Sequence, residues 1–297
     1  SEQRFRQLAD AMPQIVSTAR PDGKIDYLNR RWIEFTGLPD TVGNEGWGQI
    51  LHPDEAQPAS ERWATSVQSG APFEMEMRLL DRHLQTFRWH LIRTAAVHDE
   101  SGKVVRWFGT STDIHEQKRA EESSRYLAEA SAALASVTDY ESTLQKIARL
   151  AVPYFADWSA VDVADGSTLR RLAVAHKDPG KIALVHKLVQ DYPPDPNSPV
   201  GALAVFRTGK PELIGEIADE LLVQSAKDER HLNLIRSLGL KSYICVPLAA
   251  SGKVLGVLTF ATAESGRRYS EADLALATDL ANRAAVAVEN TQLYQAL

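Results

Sequence analysis

The chain has 297 residues, of which 44% are hydrophobic and 24% charged. This composition is ordinary for globular protein and excludes disorder and fibrous repeats. The formal net charge of -6 comes from 33 Lys and Arg against 39 Asp and Glu. The chain therefore lacks the excess of positive charge that attracts the phosphates of nucleic acids, and nucleic-acid binding is disfavoured.

Length, hydropathy and cysteine usage set further expectations. At roughly 100 to 200 residues per domain, the length predicts two domains, and no apolar run approaches the about 20 residues that span a bilayer. The single cysteine, Cys245, has no partner for an internal disulfide, which favours a reducing compartment and a cytoplasmic protein. The chain starts without methionine and ends within a helical pattern at Leu297, so we expect a piece of a longer polypeptide.

The first 115 residues alternate short strands with two helical patches, the order of a small α+β domain on an antiparallel sheet. Two apolar runs flank Pro21-Asp22-Gly23-Lys24 and predict a hairpin. A phosphate-binding loop requires Lys-Ser/Thr after its glycines, and the glycine-rich stretch 43–48 lacks this pair. The stretch therefore predicts a flexible loop. The predicted strands are 15–20, 25–29, 73–79, 86–98 and 104–114, and the predicted helices are 30–36 and 53–69.

A helical period replaces the strand period after Asp113, so we expect a linker helix over 113–137. Small and apolar residues at alternating spacings of three and four favour self-association of this helix. They are Ala120, Ser123, Leu127, Ala130, Leu134 and Val137. We therefore expect a parallel homodimer formed through the linker helix and the last helix.

The remaining residues predict a second α+β domain. Thr138 and Glu141 fit a capping box that opens a helix, and Ser270 with Asp273 fits another that opens the last helix. The proline-rich segment 192–199 must be a loop. We expect residues 192–200 to cover the sheet face near Val161, Val174 and Phe206 as a lid, with a rigid surface loop as the alternative. The other predicted elements are strands 158–163 and 169–176, helices 203–207 and 228–238, and a hairpin of 243–248 with 254–260.

Three stretches of the first domain resemble a PAS domain across residues 1–115. They are DGKIDYLNRRWIEFTG (22–37), WGQILHPDE (47–55) and WFGTSTDIHEQKRAE (107–121). Within the last stretch, Thr112, Asp113 and Ile114 match the exit from the PAS sheet into an output helix. The resemblance therefore implies that these three residues, with Leu127 and Leu134 of the linker, transmit a signal. From the residues alone, Asp113 either caps the new helix or pairs with the sheet.

Residues 125–297 resemble a GAF domain of bacterial histidine kinases and serine phosphatases. The resemblance lies in DWSAVDVAD (157–165), the PPDPNSP loop and GLKSYICVPLAASGKVLGVLTF (239–260). Together the two resemblances imply an α+β chain of two domains, each a central antiparallel sheet flanked by helices. They also imply a non-catalytic sensory and dimerisation region that controls a downstream histidine kinase or PPM-type serine phosphatase domain.

Neither resemblance identifies a cofactor. A covalent flavin adduct needs a cysteine that the first domain lacks, and Cys245 lies in an apolar run typical of a small hydrophobe, which disfavours a covalent bilin. A GAF-fold enzyme such as a methionine-sulfoxide reductase needs more than one reactive cysteine, and a structural spacer without ligand is the other alternative. Haem ligation is disfavoured because the candidate histidines cap a helix or have polar neighbours; they are His52, His83, His90 and His98. No metal-ligand or nucleophile motif occurs.

Two sets of side chains are candidates to line a small-molecule pocket, with core filling as the alternative. In the first domain they are Trp32, Phe35, Trp47, Trp63, Met75, Met77, Trp89 and Phe108. In the second domain they are Val161, Val174, Phe206, Tyr243 and Cys245.

Overall fold

The computed structural model describes residues 2–135 and 139–295. Val137 of the linker pattern, Thr138 of the first capping box and Leu297 lie outside the described residues. The chain divides into two compact units, residues 1–120 and 121–297. None of the helices in the described ranges combines the length and the apolarity needed to cross a membrane.

The first unit is built on a five-stranded antiparallel sheet in the order β2-β1-β5-β4-β3. Its strands are β1 (Ile15–Ala19), β2 (Ile25–Leu28), β3 (Phe73–Asp81), β4 (Thr86–His98) and β5 (Val104–Asp113). Its helices are α1 (Glu2–Ala11), α2 (Arg30–Thr36), α3 (Gly43–Ile50) and α4 (Pro53–Ser69). The predicted hairpin, the two predicted helices and the three later strands are confirmed to within two residues.

The prediction of a flexible loop at 43–48 is wrong, because this segment forms most of α3. Asn44 explains the difference, since its Oδ1 accepts a hydrogen bond from the Ile25 N–H at 2.8 Å and its Nδ2 donates to the Gly23 carbonyl at 3.3 Å. Of the three glycines in the segment, only Gly43 has a positive φ, and it is the first residue of the helix. Contacts with the β1-β2 hairpin therefore override the weak helix propensity of glycine.

The second unit contains another five-stranded antiparallel sheet, in the order β7-β6-β10-β9-β8. Its strands are β6 (Trp158–Asp165), β7 (Thr168–His176), β8 (Glu212–Ile214), β9 (Ser242–Ala250) and β10 (Lys253–Thr262). The remaining helices are α5 (His115–Ala135), which begins in the first unit, α6 (Tyr140–Leu150), α7 (Pro179–Asp191), α8 (Ala202–Thr208), α9 (Asp219–Ser225), α10 (Glu229–Ser237) and α11 (Glu271–Gln295).

The two helix caps expected in the second unit differ in outcome. The capping box of α11 is confirmed, because the Ser270 N–H donates to Asp273 Oδ2 at 2.8 Å and the Asp273 N–H donates to Ser270 Oγ at 3.4 Å. Helix α6 is capped by Asp139, and Thr138 of the expected capping box lies outside the described residues. The Asp139 carboxylate accepts hydrogen bonds from the backbone N–H groups of Glu141 and Ser142, and a carboxylate is a strong acceptor at a helix N-terminus.

One face of the second sheet packs against α5, α6 and α11, which changes the meaning of the linker pattern. Ser123 and Ala130 are buried, and Leu127 and Leu134 are partly buried against the same core. The spacing of three and four that suggested self-association thus matches packing of α5 against its own unit.

Candidate functional site

A cavity of about 310 Å³ lies in the first unit between the inner face of the sheet and helices α3 and α4. This volume is at the lower end of the range for small-molecule sites. Most of the lining is aromatic, aliphatic or small: Trp47, Trp63, Phe73, Trp107, Ile25, Leu51, Met77, Ile92, Ala19, Gly48, Ala56, Ala59 and Gly109. Hydroxyl and amide side chains complete it: Ser17, Asn44, Ser60 and Thr94. Among the described residues, none with an ionisable side chain lines the cavity.

The structure brings only part of the predicted first-domain set to this cavity. Trp47, Trp63 and Met77 line it. Trp32 and Phe35 fill the neighbouring core instead, and Met75 packs against that core without reaching the lining.

Trp89 and Phe108 do not belong to the cavity, because side chains alternate between the two faces of a strand. Phe108 is 39% exposed, whereas its neighbour Trp107 is completely buried, and the ring of Phe108 meets that of Phe5 at 5.8 Å. Trp89 lies beneath the cations of Arg78 and Lys118. The sequence interpretation missed Trp107, although strand alternation permits only one of this adjacent pair to face inward.

The indole N–H groups in the cavity wall differ in their partners. Trp63 Nε1 donates to the Gly23 carbonyl at 3.3 Å. The Nε1 atoms of Trp107 and Trp47 are both buried, and no acceptor among residues 2–135 and 139–295 is within hydrogen-bond distance of either. Buried donors are rarely left without an acceptor, so these two atoms are the unusual feature of the cavity.

The junction between β5 and α5 contains a single residue, Ile114. Asp113 acts in both of the ways that the sequence left open. Its Oδ1 accepts the backbone N–H of His115 at 2.9 Å, while its Oδ2 accepts from Arg88 Nε at 2.8 Å. Burial raises the pKa of Asp113, but the hydrogen bonds from Arg88 and His115 outweigh it and hold the pKa below its ordinary value. The carboxylate therefore stays ionised as a shared anchor for strand and helix.

The candidate haem histidines have other structural partners. His52 Nδ1 accepts the backbone N–H of Asp54 as the cap of α4, and His83 Nε2 lies 2.8 Å from the Glu34 carbonyl. His90 is buried beside Ser111 Oγ, at 2.9 Å, and His98 is exposed. Within the described ranges, no group of three or more His, Cys, Asp or Glu side chains is placed to hold a metal ion.

The second-domain candidates divide between the two faces of their sheet. Val161 belongs to the core beneath α5, α6 and α11. Val174, Phe206, Tyr243 and Cys245 pack into clusters that do not include it. Val161 therefore cannot share a pocket with the other four, because the sheet separates them.

Cys245 is a buried thiol between strand neighbours. Its Sγ lies 3.3 Å from Thr259 Oγ1, and it packs with Val205 and Val257. Burial raises the pKa of the Cys245 thiol to about 12. Because the thiolate is the nucleophile, this environment disfavours turnover by a cysteine-dependent reductase.

The proline-rich loop is exposed and is held by cationic side chains. Arg207 donates to the carbonyls of Pro196 at 2.6 Å and Ser198 at 2.9 Å, and Lys227 donates to the Pro193 carbonyl at 2.7 Å. Val161, which the loop was expected to cover, faces the opposite helices. A lid over Val174 and Phe206 stays a prediction.

Comparison with known proteins identifies both units. A GAF domain model matches residues 139–288 and a PAS fold model matches residues 25–111. The chain is 35% identical over 136 residues to the peroxide stress-activated histidine kinase mak1 of Schizosaccharomyces pombe. It is 30% identical over 119 residues to the uncharacterized protein y4lL of Sinorhizobium fredii. These matches cover 46% and 40% of this chain but only 8% and 14% of the relatives, so the chain spans a small part of their length.

Two solved structures each match part of this chain over nearly their whole length. The GAF domain from a phosphoenolpyruvate-protein phosphotransferase of Coxiella burnetii is 14% identical, with a TM-score of 0.44 and coverage of 60% of this chain and 99% of that chain. A sensory box histidine kinase/response regulator from Burkholderia thailandensis is 23% identical, with a TM-score of 0.33 and coverage of 42% and 95%.

His90 should make the stability of the first unit depend on pH. The side chain is 3% exposed, and burial lowers its pKa from 6.5 to about 4. Between these values the unfolded chain binds a proton that the folded chain does not. The free energy of unfolding should therefore be highest above pH 6.5 and fall by up to about 3 kcal/mol as the pH drops to about 4.

Urea titrations of the wild type and His90→Gln at about pH 7 and about pH 4.5 measure this contribution. Burial also lowers the pKa of His115, so the informative quantity is the difference between wild type and variant. His98→Gln, at an exposed position, should retain the full wild-type loss. The same pH dependence in His90→Gln and the wild type would contradict the prediction.

Proposed function

Because the chain belongs to the GAF domain family and carries a PAS-fold domain before its GAF domain, we propose that it is the non-catalytic sensory region of a cytoplasmic signalling protein. The PAS cavity binds a small molecule, and the chain controls an output domain elsewhere in the polypeptide, a histidine kinase or a phosphatase. The 35% identity to a histidine kinase supports the first kind of output. In this proposal the PAS domain spans residues 1–115, the linker helix 113–137 and the GAF domain 125–297.

The observation that carries the proposal is that the cavity and the start of the output helix share one strand. Trp107 and Gly109 of β5 line the cavity. Asp113 lies four residues further along the same strand, at roughly 13 Å by strand geometry. After Ile114 the chain is helical. A shift of β5 caused by an occupant of the cavity therefore meets no flexible joint before it reaches α5.

Polar contacts fasten the junction and the first turns of α5 to β3 and β4. Beyond the Arg88–Asp113 ion pair, the Trp89 N–H donates to His115 Nδ1 at 3.4 Å. Lys118 Nζ forms an ion pair with Glu76 at 2.5 Å. A ligand changes the state of such a connection only through different affinities for two arrangements. We propose that a ligand in the cavity binds the two arrangements with different affinities, because β3, β4 and β5 all contribute to the cavity wall.

In the second unit, Arg267 connects the entering helix to the leaving helix. Its guanidinium donates to Ser123 Oγ on α5 at 3.1 Å and to the Tyr154 carbonyl at 3.2 Å, and it forms an ion pair with Asp273 in the first turn of α11. A displacement of α5 is thus communicated to α11 through one buried cation. This contact supports a relay through the GAF domain.

Filling the cavity tests the sensory role. Ala59 on α4 is buried and lines the cavity, whereas Ala64 on the same helix is exposed and does not. Ala59→Phe places an aromatic ring where a ligand would lie, so we expect loss of any co-purifying small molecule. Ala64→Phe adds the same ring outside the cavity and should retain it. Native mass spectrometry of the three purified proteins measures the occupancy.

A small-molecule mass in the wild type and in Ala64→Phe, but not in Ala59→Phe, is the expected result. Absence of a bound mass from the wild type, or its full retention in Ala59→Phe, would contradict a ligand-binding cavity.

Insertions into α5 test the helical relay in the full-length protein. Two residues added after Glu121 rotate the following helix by roughly 200°, whereas seven return it close to its original orientation. We expect regulation of kinase or phosphatase output to be lost with the insertion of two residues and largely preserved with seven. Equal regulation in both insertion variants would rule out a rigid helical relay.

We also propose that two copies associate in parallel through α5 and α11. The linker leucines are poor probes of this interface, because Leu127 and Leu134 pack against their own core. Val286 on α11 is 52% exposed, so Val286→Glu should weaken a dimer without opening the core. Val223→Glu on α9, at a valine that is 50% exposed, is the matched control. Sedimentation equilibrium should give a dimer for the wild type and for Val223→Glu; a monomeric wild type at high concentration would contradict the proposal.

A further inference from the structure

Trp107 gives the PAS cavity a specific chemical preference. Resting on the ligand-binding role proposed above, we infer that the cavity selects an uncharged, mostly apolar molecule with a hydrogen-bond acceptor, and that this acceptor takes the indole N–H of Trp107. Ketones, esters, amides and ethers have this chemistry. Two properties of the cavity wall favour such a ligand, its unpaired donor and its lack of charge.

The unpaired donor in the cavity wall is the indole N–H of Trp107. Trp107 is completely buried, and its Nε1 has no acceptor among the residues that the structure describes. A buried donor without an acceptor costs free energy, because it has given up its hydrogen bond to water. An indole N–H can only donate, so the group that satisfies it must be an acceptor. Trp47 repeats the feature on the opposite wall, with a second buried and unpaired N–H.

The side chains that line the cavity carry no charge among the residues that the structure describes. The polar side chains of the lining are Ser17, Asn44, Ser60 and Thr94, all neutral, and no ionisable side chain from the described ranges joins them. An ion that entered this cavity would lose its hydration without gaining a counter-charge. A carboxylate or an ammonium ligand is therefore disfavoured, although a carboxylate would satisfy the indole donors.

The aromatic rings of the cavity wall pack against one another. Trp63 meets Trp107 at a centroid distance of 5.1 Å and an interplanar angle of 67°, and it meets Phe73 at 5.8 Å and 87°. Trp63 therefore packs edge-to-face between Trp107 and Phe73, and its contact with Trp107 restricts the movement of that indole ring. An apolar ligand body gains from the aromatic surface by burial and dispersion, while the acceptor determines its orientation.

Three naphthalenes of similar shape test this preference by isothermal titration calorimetry. 2-Acetylnaphthalene offers a neutral carbonyl acceptor, 2-isopropenylnaphthalene replaces the carbonyl oxygen by a methylene group, and 2-naphthoate carries a negative charge. The readout is the affinity ratio of the ketone to the isopropenyl compound. We expect Trp107→Phe to lower this ratio about tenfold, since one hydrogen bond to a buried donor is lost. We expect the naphthoate to bind the wild type at least about tenfold more weakly than the ketone.

Trp63→Phe is the matched control. It removes the same atoms from the same cavity, but its N–H already donates to Gly23, so both affinities should change together and the ratio should stay at the wild-type value. A ratio that is equal in the wild type and Trp107→Phe, or tighter binding of the naphthoate than of the ketone, would overturn the inference while leaving the ligand-binding role intact. Failure of all three probes to bind the wild type would overturn both.

A measurement on the wild type covers the case in which Trp107→Phe does not fold. The chain has six tryptophans, whose indole N–H groups give separate signals in a 15N-correlated NMR spectrum. The ketone should move one of these signals downfield, because a new hydrogen bond deshields the proton, and the isopropenyl compound should not. The absence of a downfield shift specific to the ketone would overturn the inference.

Discussion

The carboxylate of Asp113 holds the sheet of the first unit and the start of α5 together. It accepts one hydrogen bond from the guanidinium of Arg88 in the sheet and another from the first backbone N–H of α5. One charged group therefore fixes both sides of the junction. The pKa of Asp113 is held below its ordinary value, and the anchor stays charged at neutral pH. Since only Ile114 separates β5 from α5, the direction of the helix is set by the sheet. A cavity that shares β5 is therefore well placed to influence the helix.

Much of this arrangement could be predicted from the sequence, because long elements carry strong local patterns. Strand β3 alternates apolar and charged residues, and helix α4 has a proline at its start and Gly70 after its end. The cavity was less predictable, since aromatic content does not tell which face a side chain takes. Trp107 and Phe108 are adjacent and equally suitable by composition, yet one is buried in the cavity wall and the other is 39% exposed.

Two other features depend on contacts between distant segments. Helix α3 forms at a glycine-rich stretch because Asn44 is bonded to the hairpin, and nothing within the stretch itself predicts this. The spacing of three and four along α5 is the same for a coiled coil and for a helix packed on its own sheet. The burial of Ser123 and Ala130 in the second unit distinguishes the two, and it directs the search for a dimer interface to other faces of α5 and α11.

An occupant of the cavity should stabilise the first turn of α5, and amide hydrogen exchange measures this effect. With saturating 2-acetylnaphthalene, we expect exchange of the backbone N–H groups of residues 114–118 to slow by about fivefold, because the junction opens less often. Asp113→Ala removes the shared anchor, so the same addition should leave exchange at these residues unchanged. Protection confined to residues 107–109, with unaltered exchange at 114–118 in the wild type, would show that the cavity and α5 are not coupled.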